Sequence, residues 1–426
     1  MRKRIAIVSG VRTPFCKGGG VLRDMLADDL GAYAVKEVYS RTPIDPNLID
    51  EVIIGNVLQP VHATNIARVI AVKAGLSQKI PAYTVNRNCA SGMEAVTTGA
   101  DKILLEQAEI ILAGGVESMS NFPILFSPRM RDFLQNLSKA KGWQGKLKSL
   151  LAFRPSLFKP VIPDISDPLC GLSMGQTAEI LTREFQITRL EQDKFAMESH
   201  LRASKATKDG RFTEEIIPIP LPPDYKKIQT IDEGPRDNQT LESLLKLKPV
   251  FDPLTGTVTA GNSSPITDGA AAVILMSEEK AKELNLKPLG YILDHAAAGV
   301  DPSRMGIGPV YATSLLLAKT GFTLDQIDLI EINEAFAGQV LAVVKAFASD
   351  EFARKNLNRD KALGTIDLDK LNVNGGAIAL GHPLGASGTR LILTLLLELK
   401  KRNKRYGLAT LCIGGGQGQA CLLEVE

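Results

Sequence analysis

Thr84-Val85-Asn86-Arg87-Asn88-Cys89-Ala90-Ser91-Gly92-Met93-Glu94 is the stretch around which the rest of the chain is organised. An apolar run ends at Val85 and a polar turn follows. Met93, Val96, Ala100, Ile103 and Leu104 then recur at helical spacing, so Met93 to Leu105 reads as a helix. Cys89 therefore stands just ahead of a helix N-terminus, where unpaired N–H groups and the positive end of the dipole favour an anion. A thiolate held there is expected to have a depressed pKa and to act as a nucleophile at neutral pH. Against this stands the ordinary use of free cysteine as a small buried hydrophobe. A lone cysteine does not define a site.

The 426 residues suffice for two or three domains with a large core. Lys and Arg number 50 against 47 Asp and Glu, a formal charge of +3 that gives no reason to expect nucleic-acid binding. The cysteines are Cys16, Cys89, Cys170, Cys412 and Cys421, scattered and without a C-x-x-C pair. That pattern argues against a disulfide framework or a zinc cluster and for a reducing, cytoplasmic compartment. Arg2-Lys3-Arg4 followed by Ile5-Ala6-Ile7-Val8 imitates a signal peptide, but the apolar run is too short, and a first β-strand is the plainer reading. No stretch approaches the length of a membrane span.

Short apolar runs at Arg4 to Val8, Glu51 to Ile54, Ile80 to Val85 and Ile110 to Leu112 suit buried strands, the last expected to end at Gly114-Gly115. Asp29 to Tyr39 suits a helix, and strands alternating with helices indicate an α/β layered fold. From Asn121 to about Asp252 prolines cluster and the rhythm breaks, as expected of an inserted loop domain with a clear helix at Thr188 to Lys208. Domains are accordingly expected at 1–120, 121–252, 253–285 and 286–426, the third completing the first. After Gly256 the rhythm returns and repeats the first half. Ile49 to Ile54 matches Ile327 to Ile332, Cys89 to Gly92 matches Gly385 to Gly388, and Ile110 to Gly115 matches Leu408 to Gly415. Three matches in one order indicate a duplicated fold.

Asn333-Glu334-Ala335-Phe336 follows the strand at Leu329 to Ile332, and Asn374 to Gly388 contains Gly381-His382-Pro383. Cys412-Ile413-Gly414-Gly415-Gly416-Gln417-Gly418 follows a strand near the C-terminus. The glycines let backbone N–H groups approach a ligand closely, as an oxyanion hole requires. A nucleophilic cysteine needs a base, and His382 is the natural one among four histidines. Cys412 is suited to separate acid/base work. Taken singly, His382 reads equally as a core histidine, Asn333 as a turn residue and Cys412 as a strand-end hydrophobe. The glycine runs match neither a dinucleotide fingerprint nor a Walker loop, and no G-x-S-x-G elbow is present.

Asn88-Cys89-Ala90-Ser91-Gly92, Gly114 to Ser120, Asn333 to Phe336, Gly381-His382-Pro383 and Cys412 to Gly416 together resemble the signatures of the thiolase family, over essentially the whole chain. The resemblance implies a duplicated, five-layered α/β/α/β/α fold. It implies Cys89 as the nucleophile that carries the acyl group, His382 as the acceptor of its proton, and Cys412 as the acid/base at carbon 2 of acetyl-CoA. Asn333 would hold a catalytic water that joins His382 in one oxyanion hole. The N–H groups of Cys89 and Gly414 would form the second. Ser264 would contact the pantetheine arm of coenzyme A, a substrate rather than a bound cofactor; no metal is implied.

The implied reaction is 3-ketoacyl-CoA thiolysis in fatty-acid β-oxidation. The alternatives are acetoacetyl-CoA thiolase running in the condensing direction, and a non-catalytic thiolase-fold lipid-binding or scaffold protein. Asn121 to Ile165, Ser173 to Glu179 and Gly256 to Met276 resemble the β subunit of the fatty-acid oxidation trifunctional enzyme, although such subunits commonly have His where this chain has Asn333. That likeness implies a homo-oligomer (dimer or tetramer) and a partner α subunit with hydratase and dehydrogenase activities. Residues 121–165 carry eight basic and two acidic side chains interleaved with aromatics, and Leu147, Leu150 and Leu151 share a helical face. The pattern suits peripheral contact with an anionic membrane, at its inner face, or equally an apolar face packed on the protein itself or on a subunit.

Overall fold

The computed structural model describes residues 4–161 and 166–426. Arg2 and Lys3 of the basic start, and Pro163, Asp164 and Ile165 at the end of the 121–165 segment, lie outside the described residues. The strands that position the site are β1 (Ile5–Arg12), β2 (Glu51–Gly55), β3 (Ala82–Val85), β4 (Ile110–Ser118), β5 (Thr267–Ser277), β6 (Gly290–Gly299), β7 (Leu329–Ile332), β8 (Tyr406–Ile413) and β9 (Gln417–Glu424). The longer helices are α1 (Ala27–Arg41), α2 (Ile66–Lys73), α3 (Ser91–Leu104), α4 (Pro128–Lys139), α5 (Gly142–Leu151), α6 (Met174–Glu184), α7 (Arg189–Lys208), α8 (Gly308–Thr320), α9 (Ala337–Phe347) and α10 (Leu384–Lys401).

The first half runs β3-β2-β4-β5-β1 across its sheet and the second runs β6-β9-β8-β7. The pairing signs repeat: β2 lies parallel to β4 as β7 does to β8, and the pairs after them are antiparallel in both halves. Leu371 bridges in parallel to Ile330 where the first half has β3 beside β2. The three sequence matches occupy equivalent places, so the chain is a structural duplication. The halves join where Ile5–Ile7 of β1 pairs with Gly290–Ile292 of β6.

Period-2 alternation sends successive strand residues to opposite layers. Ala6, Val52, Ile54, Leu112 and Ile274 pack with α1 and α2. Ile5, Ile7, Ile53, Ile111 and Leu275 pack with α3 and α10, which also receive Ala409, Leu411 and Leu423 from the second half. Leu408, Ala420 and Leu422 face α8 and α9 on the far side. The five layers are thus α1/α2, sheet, α3/α10, sheet, and α8/α9. The helix expected at Thr188 to Lys208 begins with a capping box between Thr188 and Glu191.

One strand differs from expectation. β4 does not end at Gly114-Gly115 but continues to Ser118, fully buried. A Cβ on Gly115 would overlap the Gly385 carbonyl, and one on Gly114 the Ala271 carbonyl. These glycines mark close backbone approach rather than a turn.

Residues 122–165 form a separate compact unit, and the remaining chain forms the other. The smaller unit holds α4, α5 and a two-stranded ribbon pairing Leu125–Phe126 with Pro160–Val161. Phe153 packs against Phe133 at 5.6 Å and against Phe158 at 5.1 Å between ring centroids. Trp143, Leu147, Leu150 and Leu151 of α5 stay exposed.

Candidate active site

The candidate side chains leave strand ends or helix starts, where α/β folds gather their sites. Cys89 lies in the turn between β3 and α3. Asn88 takes φ +45° to make that turn, a left-handed conformation that Asn tolerates better than most residues. Ser91 closes it, its Oγ accepting from the Arg87 N–H at 2.9 Å. Asn333 follows β7, while Cys412 and Gly414 flank the last residue of β8. His382 precedes α10, and its N–H donates to Thr267 Oγ1 at 3.0 Å at the start of β5.

Cys89 is half-buried. Burial pushes its thiol pKa up, the nearby N–H groups of Gly414 and of Cys89 itself pull it down, and the Glu117 charge adds to the rise. The net direction is upward. This corrects the expectation of a depressed pKa at the helix start: loss of water outweighs the N–H groups there. The thiolate must therefore be made by transferring a proton to a base. Cys412 is buried, and burial together with the adjacent Cys89 pushes its thiol above its ordinary range, so it holds its proton.

His382 is buried and neutral, its pKa pushed down to about 3 by burial and by the charge of Arg390. Nδ1 lies 2.6 Å from Ser387 Oγ, and the Ser387 hydroxyl donates to the Pro383 carbonyl at 2.9 Å. The serine lone pair is left for an Nδ1–H, so the bare nitrogen is Nε2. Asn333 Nδ2 lies 3.3 Å from that Nε2, and its buried Oδ1 has no protein partner.

The structure thus joins Cys89 to Gly414 and Cys412, and His382 to Asn333. Cys412 shares an apolar cluster with Ala335 and Phe336 of the Asn333 loop. Ser264 meets that loop through its N–H to the Ala335 carbonyl at 2.9 Å.

Ser387 and Glu117 were not singled out by sequence. Ser387 stands five residues after His382, within the Asn374 to Gly388 stretch and the repeat partner of the Cys89 loop, but was given no role of its own. Glu117 is fully buried and accepts from the N–H groups of Val57 (3.1 Å), Leu58 (2.9 Å) and Gly385 (3.0 Å) and from Asn56 Nδ2 (3.0 Å). Burial pushes its pKa up to about 7 against those donors. It falls within the Gly114 to Ser120 signature, but no role could be read for it there, because its donors come from both halves.

Residues 5–279 match the thiolase N-terminal domain family and residues 286–425 the thiolase C-terminal domain family. The chain belongs to the thiolase family. It is therefore an acyltransferase of the thiolase fold. It is 45% identical over 425 residues to the 3-ketoacyl-CoA thiolase of Aeromonas salmonicida, covering 100% of this chain and 97% of that protein. It is 44% identical to the 3-ketoacyl-CoA thiolase of Vibrio cholerae, covering 100% and 98%. Among solved structures this thiolase resembles the Bacillus anthracis acetyl-CoA acetyltransferase, with TM-score 0.85, 37% identity and 99% of each chain covered. It also resembles human mitochondrial 3-ketoacyl-CoA thiolase in complex with CoA, with TM-score 0.83, 38% identity and 100% and 98% covered.

Proposed function

We propose that this thiolase cleaves 3-ketoacyl-CoA with coenzyme A to acyl-CoA and acetyl-CoA in fatty-acid β-oxidation, through an acyl group carried on Cys89. The observation that carries the reading is the placement of Cys89 just ahead of α3 beside the Gly414 loop, to which its neighbour Asn88 donates at 2.7 Å. Full-length identity to 3-ketoacyl-CoA thiolases supports the substrate class.

His382 Nε2 takes the Cys89 proton, and the thiolate attacks the 3-keto carbon. The resulting oxyanion lies against the N–H groups of Cys89 and Gly414. The bond between carbons 2 and 3 breaks, and its electron pair passes to the enolate of acetyl-CoA. Protonated His382 and a water held by Asn333 bear that second negative oxygen. The Cys412 S–H then protonates carbon 2. Coenzyme A, its arm against Ser264, gives its thiol proton to the Cys412 thiolate and attacks the thioester; acyl-CoA leaves, and the expelled Cys89 thiolate recovers its proton from His382, giving ping-pong kinetics. Likeness to an acetyl-CoA acetyltransferase favours a second reading, acetoacetyl-CoA as substrate with condensation as the working direction. Steady-state rates from acetoacetyl-CoA to long-chain 3-ketoacyl-CoA separate the two. A preference for longer chains supports the first, and turnover confined to acetoacetyl-CoA contradicts it.

The working form in this reading is a homo-oligomer, dimer or tetramer, beside an α subunit with hydratase and dehydrogenase activities. Residues 121–252 are an insertion into the first half (1–120 and 253–285), and 286–426 form the second. The exposed Trp143, Leu147, Leu150 and Leu151 and the basic excess of residues 121–165 support contact with an anionic membrane.

A further inference from the structure

We infer that Asp167 and Asn88 are positioning residues that grip a single peptide group, Gly414–Gly415, and so anchor Gly414, whose N–H in the adjoining Ile413–Gly414 group is directed to the reacting sulfur. Both polar atoms of the gripped group are held by side chains from distant parts of the chain. Asn88 Nδ2 donates to the Gly414 carbonyl at 2.7 Å, and Asp167 Oδ2 accepts from the Gly415 N–H at 2.8 Å. A peptide group is planar, so fixing its oxygen and its N–H fixes the plane. The loop needs such a hold, because Gly415 and Gly416 sit at φ +89° and +76° with no side chains of their own to anchor them.

Asp167 is suited to the task. It is buried, and its other oxygen, Oδ1, accepts from the Leu169 N–H at 2.8 Å. Its own turn is closed by Asp167 N–H to the Leu172 carbonyl at 2.8 Å and Gly171 N–H to the Asp167 carbonyl at 2.7 Å. Both carboxylate oxygens thus face N–H donors, an arrangement an amide cannot reproduce because one of its two ends is itself a donor. Asn88 adjoins Cys89, so the grip ties the glycine loop to the turn that carries the nucleophile.

The inference rests on the proposed roles of Cys89 and Gly414. Formation and thiolysis of the acyl-enzyme both pass through an oxyanion on the carbon bound to Cys89, so both should slow when the peptide group is freed. The test uses the full chain with Asp167→Asn, Asn88→Gly (which keeps the positive φ) and the double variant. Rapid-quench mass spectrometry reads acylation of Cys89 by 3-ketoacyl-CoA, alongside kcat, KM and Tm. Outright loss of an oxyanion donor costs about 10²–10³ in kcat, so misalignment is expected to cost on the order of tenfold in acylation and kcat. KM should stay within about twofold; Tm should hardly move in Asn88→Gly, while Asp167→Asn, whose amide leaves a buried N–H unsatisfied, should lower it by a few degrees. The double variant should be little slower than either single one, because the two residues hold one group. Wild-type acylation rates in either single variant, losses that multiply in the double, or a loss in Asn88→Gly that tracks a fall in its Tm would each overturn the inference. A wild-type enzyme with no acyl group on Cys89 would instead contradict the proposed reaction, and the inference with it.

Discussion

His382 is oriented by Ser387, its Nδ1 lying 2.6 Å from a hydroxyl that itself donates to the Pro383 carbonyl. Because Ser387 lies within the first turn of α10, the helix start fixes both the ring plane and the tautomer of this histidine. Ser387→Ala is expected to lower kcat about tenfold, a fraction of the roughly 10²–10⁴ that general base catalysis supplies, while KM changes little. Steady-state kinetics at saturating substrate check this. Unchanged kcat would mean that packing alone orients the imidazole.

The pH dependence follows from the same burial. With its pKa pushed down to about 3, His382 remains neutral and able to accept a proton well below the ordinary histidine value of 6.5. The acid limb of kcat/KM should therefore lie below pH 6.5, and half-maximal activity near 6.5 would contradict it. The stability effect has a definite sign. The unfolded histidine binds a proton below about pH 6.5 that the folded one refuses, so this group withdraws stability as pH falls towards 3. In the substrate-free enzyme, alkylation of Cys89 should keep accelerating above pH 9, because its thiol pKa lies above the ordinary 9.0. A plateau reached below pH 8 would restore the depressed value expected from the helix start.

The layered fold was legible because strand alternation and helical spacing are local, and the repeat of Ile49 to Ile54 at Ile327 to Ile332 survives in the sequence. Cys89, His382 and Cys412 stood out because reactive side chains fell at strand ends and glycine loops, whereas a role for Asn333 came only with the family resemblance. What stayed hidden depends on residues far apart in the chain. Gly114 and Gly115 resemble a turn until the Gly385 and Ala271 carbonyls are seen pressed against them. The direction of the Cys89 shift depends on how much protein surrounds the sulfur, which helix position does not reveal. Asp167 and Glu117 are ordinary acidic residues until their N–H donors from other segments are in place.

Glu117 offers a test of that long-range wiring. It accepts from four donors drawn from both halves, and in Glu117→Gln an amide NH₂ would face N–H groups that it cannot accept from. The expected cost is about 1–3 kcal/mol in unfolding free energy. Urea denaturation checks it, and an unshifted midpoint at equal slope would show that the four contacts add nothing to stability.

The basic excess within residues 121–165, together with Trp143 and the exposed leucines of α5, calls for liposome co-sedimentation. Binding is expected to vesicles containing anionic lipid at low salt and to weaken at high salt, as screening requires. An active enzyme that sediments with neither anionic nor neutral vesicles would leave α5 as a contact for another protein.

The most direct test of the division of labour between the two cysteines is mass spectrometry of the enzyme quenched after mixing with 3-ketoacyl-CoA. The acyl mass is expected on the peptide containing Cys89 and not on that containing Cys412. Cys412→Ser should still acylate at Cys89 while losing proton exchange at carbon 2, and Cys89→Ser should carry no acyl group. An adduct found on Cys412, with Cys89 unmodified, would contradict the account.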